Sequence, residues 1–284
     1  MDTNFLKSNG IDVDKGIELL GDLDTYNSIM EDFSEIFNER MERIKNYKEK
    51  GDMPNYAIEV HSLKSDSKYL GFNALADIAY KHEMASKSGD VNTVNNTYND
   101  LVNEASRIDG IVDKYLDGID NDDESDNNSD NVADAATTNT SANINVQTNT
   151  VSAPNKKVIL IADDSSIIRD FVEDIFKGQY EVVGARTGRE VADFISKNLD
   201  RVAVLLLDLN MPDINGFQVL EWFKQNDLFK KIPVSVITGA SDKESVDRAF
   251  TYPICDMLNK PFERENVKDV VEKTLDFNNN KNEA

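Results

Sequence analysis

The sequence predicts a multidomain chain, in which an all-α four-helix bundle is followed by an α/β domain with a parallel sheet. Within residues 16–118, apolar residues recur at three- and four-residue spacing, and no segment is a convincing strand. The C-terminal half alternates short apolar runs with helical segments, which is typical of βα units. These patterns predict a helical bundle at 1–118, a flexible linker at 119–155, an α/β domain at 156–278 and a disordered tail at 279–284.

The composition supports two folded domains and argues against several functions. A length of 284 residues suits two domains of about 120 residues each. The net charge of −22 comes with no basic patch, which argues against nucleic-acid binding. The apolar runs are too short to span a bilayer, and the N-terminus lacks the pattern of a signal peptide. The single cysteine, Cys255, can form no internal disulfide. We therefore expect a cytoplasmic protein without membrane insertion.

The predicted linker has a distinct composition. Residues 119–155 contain no aromatic residue and no Lys or Arg, and they are rich in Asn, Asp, Thr, Ser and Ala. Such a segment cannot bury enough apolar surface to fold. A flexible tether of this length spans roughly 35 Å, so contact between the two domains is permitted but not enforced.

Three apolar stripes predict the packing of the helical half, and glycines separate the helices. Turns or caps are predicted at Gly51-Asp52, Gly71 and Gly89-Asp90. Helices with such short connections form an antiparallel bundle. The stripes consist of Ile29, Phe33, Ile36, Phe37, Met41 and Ile44; of Leu75, Ile78, Ala79 and His82; and of Val91, Val94, Tyr98, Leu101, Val102, Ala105, Ile108, Val112, Tyr115 and Leu116.

The helix predicted over about Pro54 to Leu70 separates the roles of the two histidines of the chain. Its apolar face consists of Tyr56, Val60, Leu63, Ser67 and Leu70. At 100° per residue, His61 lies roughly 150° from the centre of that face, so we expect it to be exposed to solvent between Lys64 and Lys68. His82 lies on an apolar stripe instead, which predicts a partly buried, hydrogen-bonded side chain.

The surroundings of His61 resemble the histidine phosphotransfer (HPt) domain. The resemblance rests on His61-Ser62-Leu63-Lys64-Ser65, on Tyr69-Leu70-Gly71 and on Ser88-Gly89-Asp90. It implies that His61 carries a phosphoryl group, supported by Lys64, Ser65 and Lys68. Ser65 stands where the family usually has glycine. A neutral imidazole is a competent nucleophile at physiological pH, although an ordinary surface histidine remains an alternative.

Polar residues follow four of the predicted strands in the C-terminal half. The strands are predicted at Val158–Ala162, Val202–Leu207, Ile232–Ile237 and Asp256–Asn259, and the polar residues are Asp163-Asp164, Asp208, Thr238 and Lys260. In an open parallel sheet, such residues meet in the crevice beyond the carboxyl ends of the strands. Three carboxylates, a hydroxyl and an amine suit a divalent cation and a phosphoryl group. Each motif alone has a simpler interpretation, such as a helix cap or a turn, and their joint spacing favours one site.

This pattern resembles the receiver domain of two-component response regulators. The loop Met211–Gly216 and the Lys260-Pro261 pair, usually a cis bond in that family, add to the resemblance. It implies a flavodoxin-like (βα)5 fold with Asp208 as the covalent phosphate acceptor. Thr238 and Lys260 are then expected to contact the phosphoryl oxygens. Mg²⁺ is expected to bind Asp164 and Asp208 directly, Asp163 through water, and Asn210 through its backbone carbonyl.

Two positions depart from that family's pattern. Met257 stands where many receivers have a Tyr or Phe that swings inward on phosphorylation, so an aromatic switch is excluded there. Gly239 stands after Thr238, where the family often has alanine.

Together the two resemblances imply a phosphorelay protein that catalyses its own phosphorylation and dephosphorylation. The sequence has no P-loop and no glycine-rich ATP lid, so a separate sensor histidine kinase, hybrid or simple, is the expected donor. Other receiver domains and response regulators are the other expected partners. The direction of phosphate flow stays open. The alternatives are a phosphate sink and a phosphorylation-controlled scaffold that acts by binding partners.

Overall fold

The computed structural model describes residues 3–125, 156–239 and 243–281, with side chains described over 3–118, 156–239 and 244–277. The N-terminal half of the described chain is entirely helical, as predicted. Its helices are α1 (Thr3–Ser8), α2 (Val13–Leu20), α3 (Leu23–Lys50), α4 (Met53–Tyr69), α5 (Asn73–Lys87) and α6 (Val91–Ser125). No described helix is both long enough and apolar enough to cross a membrane.

Each of the four long helices packs against two of the others. Helix α3 contacts α4 and α6, and α5 contacts the same two helices from the other side. The connection between α3 and α4 is the predicted one, because Gly51 adopts a positive φ of 68° and ends α3. Asp52 then caps α4 by accepting a hydrogen bond from the backbone N–H of Asn55. The predicted stripes face the core, and Phe33 and Phe37 are among their buried members, but Val91 at the start of α6 is exposed.

Helix α6 is longer than the sequence indicated. It continues past residue 118 to Ser125 and so includes the first part of the predicted linker. The rest of that segment, 126–155, lies outside the described residues, as does 282–284 of the predicted tail.

The C-terminal half is an α/β domain whose five strands are all parallel, in the order β2-β1-β3-β4-β5. This is the predicted flavodoxin-like order. In chain order its elements are β1 (Val158–Ala162), α7 (Ser166–Phe176), β2 (Glu181–Ala185), α8 (Gly188–Asn198), β3 (Val202–Asp208), α9 (Gly216–Gln225), a short 3₁₀ helix (Leu228–Lys230), β4 (Val234–Gly239), α10 (Lys243–Ala249), β5 (Met257–Lys260) and α11 (Arg264–Lys281).

Three strands differ slightly from their predicted bounds. Strand β3 ends at Asp208 and not at Leu207. Strand β4 begins at Val234 and not at Ile232, whose N–H bonds to the carbonyl of Leu228 in the preceding turn. Strand β5 lies one residue later than predicted, at Met257–Lys260. Strands β3, β4 and β5 consequently reach to or past the polar residues that were expected to follow them.

The two halves pack directly against each other, and helix α4 is buried on both sides. Its predicted apolar face lies in the helical core. The opposite face meets the α/β domain, where Ser62 Oγ donates a hydrogen bond to Asp164 and Ser165 Oγ donates to Asp66 Oδ1 at 2.5 Å. Asp66 also pairs with Arg40, and both side chains are buried. Buried charges need such partners, so this contact fixes how the two halves meet.

An aromatic cluster at the end of α4 extends the core across the interface. The ring centroid of Tyr69 lies 5.7 Å from that of Phe262 and 6.0 Å from that of Phe171. The Tyr69 hydroxyl accepts a hydrogen bond from the backbone N–H of Phe262 at 3.0 Å. Because all three rings are buried, one continuous apolar core includes both halves.

The same interface places acidic side chains near each other. Asp32 of α3 is half-buried, and burial together with the charges of Asp170, Glu35 and Glu31 raises its pKa to about 6. Burial also raises the pKa of Asp170, on α7. The folded chain therefore favours the protonated form of Asp32 more than an unfolded chain does.

Tyr69→Ala should lower the free energy of unfolding by about 3–5 kcal/mol, because it leaves a cavity between the two halves. Tyr69→Phe is the matched control. It removes only the hydroxyl, and the lost hydrogen bond should cost about 1–3 kcal/mol. Urea denaturation followed by circular dichroism measures both. An equal decrease in the free energy of unfolding for the two variants would show that the Tyr69 ring does not hold the halves together.

Asp32→Asn should stabilise the chain near neutral pH and not in acid. Because folding raises the pKa of Asp32 above 3.8, its ionisation destabilises the folded state above about pH 6, and this cost disappears as the pH falls towards 4. After discounting for solvent screening of this half-buried group, we expect a gain on the order of 1 kcal/mol.

Thermal melting at about pH 7.5 and about pH 4.5 measures this difference. Glu42→Gln is the control, since it removes an exposed acid from the same helix. A gain of the same size at both pH values would contradict the assignment of the effect to Asp32.

Candidate functional site

Three carboxylates meet at the carboxyl edge of the sheet. Asp163 and Asp164 directly follow β1, and Asp208 is the last residue of the neighbouring strand β3. One carboxylate oxygen from each lies within 4.8 Å of the others. Ser165 caps α7 by accepting from the N–H of Ile168, so the chain turns away from the strand at this point. The structure thus brings together the acidic residues that the sequence singled out.

Lys260 neutralises part of this charge. Its Nζ lies 2.6 Å from Asp208 Oδ2 and 2.7 Å from Asp163 Oδ2, and all three side chains are buried. The Lys260–Pro261 bond is cis, as the family resemblance implies. Burial lowers the pKa of Lys260, but the three carboxylates raise it by more, so the amine stays charged. One ammonium against three carboxylates leaves the cluster with an excess of negative charge.

The cluster has the donors that a hard divalent cation needs. Burial and the neighbouring carboxylates raise the pKa values of Asp163 and Asp164, which shows that this concentration of negative charge is unfavourable without a cation. Asp164 Oδ1 is buried and finds no hydrogen-bond partner in the described part of the chain. The N–H of Asn210 donates to Asp208 Oδ1 at 2.9 Å, which holds its backbone beside the cluster. Oxygen ligands and a negative charge suit Mg²⁺.

Thr238 and Gly239 complete this edge of the site at the end of β4. The buried Thr238 hydroxyl makes one long hydrogen bond of 3.4 Å, to the carbonyl of Gly239. A Cβ added to Gly239 would lie 3.7 Å from His61 Cε1 and 3.9 Å from Lys64 Nζ. The space beside this glycine is therefore bordered by side chains from α4. Met257 lies at the start of β5 and packs against the core on the other side of the sheet.

His61 is not exposed, and the sequence-based prediction of its exposure is wrong. Its side chain retains only 2% of its accessible surface. The helical wheel placed it correctly on the face opposite the apolar stripe. That face, however, docks on the α/β domain, which a wheel for one helix cannot show. His61 therefore lies between the two halves of the chain.

His82 has the environment that its position predicted. It is buried, its Nδ1 lies 2.7 Å from the Tyr56 hydroxyl, and its Nε2 lies 3.0 Å from Thr97 Oγ1. Burial lowers the pKa of His82. It is a neutral, hydrogen-bonded core residue, which separates its role from that of His61.

Glu83 orients His61, and the sequence analysis did not identify it. Its Oε1 lies 2.7 Å from His61 Nδ1, and its Oε2 accepts from Lys64 Nζ at 2.5 Å. Burial raises the pKa of Glu83, but the hydrogen bond from His61 and the charges of Lys64 and Lys87 lower it by more. An ionised carboxylate only accepts hydrogen bonds, so His61 Nδ1 carries a proton. The spacing of Ala76, Ala79 and Glu83 on one face of α5 could have indicated a buried acid.

The free nitrogen of His61 faces the α/β domain. Nε2 is buried and has no hydrogen-bond partner among the residues that the structure describes. When the ring is neutral and Nδ1 carries the proton, Nε2 holds the lone pair. The structure thus presents a nucleophilic nitrogen at the boundary with the acidic cluster.

The remaining residues predicted around His61 border a cavity of about 340 Å³ between the two halves. Ser65 is buried there and Lys68 is exposed. Lys64 and Lys260 border the same cavity, one from each half. Burial lowers the pKa of Lys64. Asp77 also lines this cavity, and Lys64 and Lys260 are paired with the carboxylates of Glu83 and Asp208.

Comparison with known proteins concerns the C-terminal half. The family model of the response regulator receiver domain matches residues 159–272. The chain is 30% identical over 122 residues to chemotaxis protein CheY1 of Helicobacter pylori, covering 42% of this chain and 98% of that protein. It is 32% identical over 116 residues to the transcriptional regulatory protein CrdR of the same organism, covering 40% of this chain and 52% of that protein. The solved structure of CheY4 of Vibrio cholerae is 27% identical, with a TM-score of 0.39, and the match covers 43% of this chain and all (100%) of that one.

Lys260→Met should destabilise the chain without Mg²⁺ and increase the stabilisation that Mg²⁺ gives. Removing one partner of a buried ion pair costs about 3–5 kcal/mol, and a bound cation would replace part of the lost charge. Thermal melting with and without Mg²⁺ measures both effects. Lys268→Met is the control, because this lysine pairs with Glu265 on the surface. An equal response to Mg²⁺ in wild-type and Lys260→Met chains would argue against a cation at this cluster.

Proposed function

Because this chain belongs to the response regulator receiver family through residues 159–272, we propose that it is a phosphorelay protein of a two-component system. It carries a phosphoryl group on Asp208 of the receiver domain and on His61 of an N-terminal HPt domain. One observation carries this proposal. The nucleophilic nitrogen of His61 and the acidic cluster around Asp208 lie on the two sides of one interface.

Asp208 is the acceptor in the receiver domain. Its carboxylate attacks the phosphorus of the donor and forms an acyl phosphate. Asp163, Asp164, Asp208 and the carbonyl of Asn210 would hold Mg²⁺, which would supply positive charge to the phosphoryl oxygens. Lys260 supplies a second positive charge, and Thr238 donates its hydroxyl to a phosphoryl oxygen. The short distances from Lys260 to the carboxylates support this arrangement.

His61 is the second carrier, and its surroundings support that role. Glu83 accepts the Nδ1 proton, which leaves Nε2 as the nucleophile. Lys64 and Lys68 offset the charge of the phosphoryl group, and Ser65 lies beside them. The HPt role of residues 1–118 rests on the motif around His61 and on this geometry.

The partners follow from the chemistry. A sensor histidine kinase, hybrid or simple, supplies the phosphoryl group, and other receiver domains or response regulators exchange it. The chain acts as a cytoplasmic phosphocarrier that binds neither nucleic acid nor membrane.

Phosphorylation with acetyl phosphate and Mg²⁺ tests the two carriers. Wild-type protein should form both aspartyl and histidyl phosphate, which differ in their lability to acid and alkali. Asp208→Asn should abolish labelling by this small donor, since the amide cannot form an acyl phosphate. His61→Gln should keep aspartyl phosphate and lose histidyl phosphate.

His82→Gln is the matched control, because it removes the other histidine of the chain. It should leave histidyl phosphate in place. Histidyl phosphate that persists in His61→Gln and disappears in His82→Gln would make His82 the carrier. Labelling of Asp208→Asn at the wild-type level would refute the assignment of the acceptor.

A further inference from the structure

The phosphorylation site of the receiver domain is covered by the helical domain of the same chain. Asp208 and His61 expose 0% and 2% of their surface. Ser62, next to His61, donates to Asp164 of the acidic cluster. His61 Cε1 lies 3.7 Å from where a Cβ on Gly239 would be, one residue after Thr238. Both carriers are therefore buried in the docked chain, and a second protein could reach them only if the domains moved apart.

Among the described residues, two buried polar atoms without hydrogen-bond partners lie at this interface, one in each domain. They are His61 Nε2 from the helical domain and Asp164 Oδ1 from the receiver domain. Burying a polar atom without a hydrogen bond is unfavourable. Both atoms are acceptors when Nδ1 holds the ring proton, so they cannot satisfy each other. A carboxylate oxygen suits a cation, and a nitrogen lone pair suits an electrophile such as phosphorus.

A lysine of each domain lies at this interface. Lys64 and Lys260 border one cavity of about 340 Å³. Lys64 Nζ lies 3.9 Å from the Cβ position of Gly239, and Lys260 lies against Asp208. A phosphoryl group between the two carriers would thus have a lysine of each domain beside it, and such charges stabilise its oxygens.

The contact between the domains is specific. Arg40 and Asp66 form a buried ion pair, and Ser165 of the receiver domain donates to Asp66. Tyr69 packs between Phe171 and Phe262. These contacts fix the register in which α4 lies on the receiver, and this register places His61 beside the end of β4.

We infer that His61 and Asp208 of a single chain exchange the phosphoryl group directly, with the two domains docked as in this structure. The inference rests on the proposed function of both carriers and names the receiver partner of His61, which is the receiver domain of its own chain.

The transfer between Asp208 and His61 needs no further reactant. After an acyl phosphate or a kinase phosphohistidine has charged Asp208, the Nε2 lone pair forms the N–P bond as the P–O bond to Asp208 breaks. Asp208 leaves as a carboxylate. The Nδ1 proton stays in place, and the positive charge that the ring gains lies against the Glu83 carboxylate. The reverse step uses the same atoms.

The dependence of the transfer rate on concentration tests this inference in the full chain. Wild-type protein is charged with radiolabelled acetyl phosphate and Mg²⁺, the donor is removed, and histidyl phosphate is followed over time. All protein concentrations are micromolar or lower, far below the roughly millimolar effective concentration of one domain for the other within a chain. The rate constant should therefore stay unchanged over about a hundredfold dilution.

A mixture of two variants provides the matched comparison. Charged His61→Gln chains can donate only from Asp208, and Asp208→Asn chains can accept only on His61. At micromolar concentration, transfer in this mixture should be roughly 100-fold slower than in the wild type and should rise with concentration. A mixture that matches the wild type, or a wild-type rate that rises with concentration, would overturn the inference and leave the proposed function intact.

Other outcomes test the proposed function as well. Aspartyl phosphate without histidyl phosphate, in both the wild type and the mixture, would overturn the inference together with the role of His61. Absence of any aspartyl phosphate would remove the proposed function at its first step.

Tyr69→Ala tests the docked arrangement separately. It lies outside the reacting groups but in the contact between the domains. Transfer from Asp208 to His61 should slow by at least about tenfold and become dependent on concentration, since the domains then meet less often. Tyr69→Phe keeps the ring and should transfer faster than Tyr69→Ala. Transfer at the wild-type rate in Tyr69→Ala would contradict the need for this contact.

Discussion

Helix α4 must be buried on two opposite faces, and the position of His61 relative to the acidic cluster depends on this constraint. One face supplies apolar side chains such as Val60 and Leu63 to the helical core. The other face carries Asp66 and Tyr69, which find their partners on the receiver domain. A buried carboxylate needs Arg40 and Ser165, and a buried aromatic ring needs matching rings. Both requirements are met in only one position of α4, and in that position His61 lies beside the end of β4.

The electrostatics of the two domains complement each other at that place. The receiver domain contributes three carboxylates and one lysine, so its surface there is negative. The helical domain contributes Lys64 and the ring of His61, with Glu83 behind them. The negative charge of Glu83 thus acts on the far side of the ring. Because Glu83 lies behind the ring, Nδ1 of His61 keeps its proton and Nε2 faces the receiver domain.

Local patterns were sufficient to predict much of this molecule. Strands β1 and β3 are short apolar runs with acidic residues at their ends, so both the sheet and its acidic edge could be derived from the sequence. The burial of His82 followed from its helical stripe. The burial of His61 could not be predicted, because it depends on a domain separated from it by a long linker. The contact of His61 with Glu83, and the approach of Asp32 to Asp170, likewise depend on packing between helices.

The aromatic contact between the domains has a consequence for temperature. Tyr69, Phe171 and Phe262 hold the halves together largely by removing apolar surface from water. That driving force weakens on cooling, whereas the repulsion between Asp32 and Asp170 does not depend on it. The proportion of chains with separated domains should therefore grow in the cold. A change in temperature would therefore change how readily another protein reaches either carrier, without altering the chemistry of phosphoryl transfer.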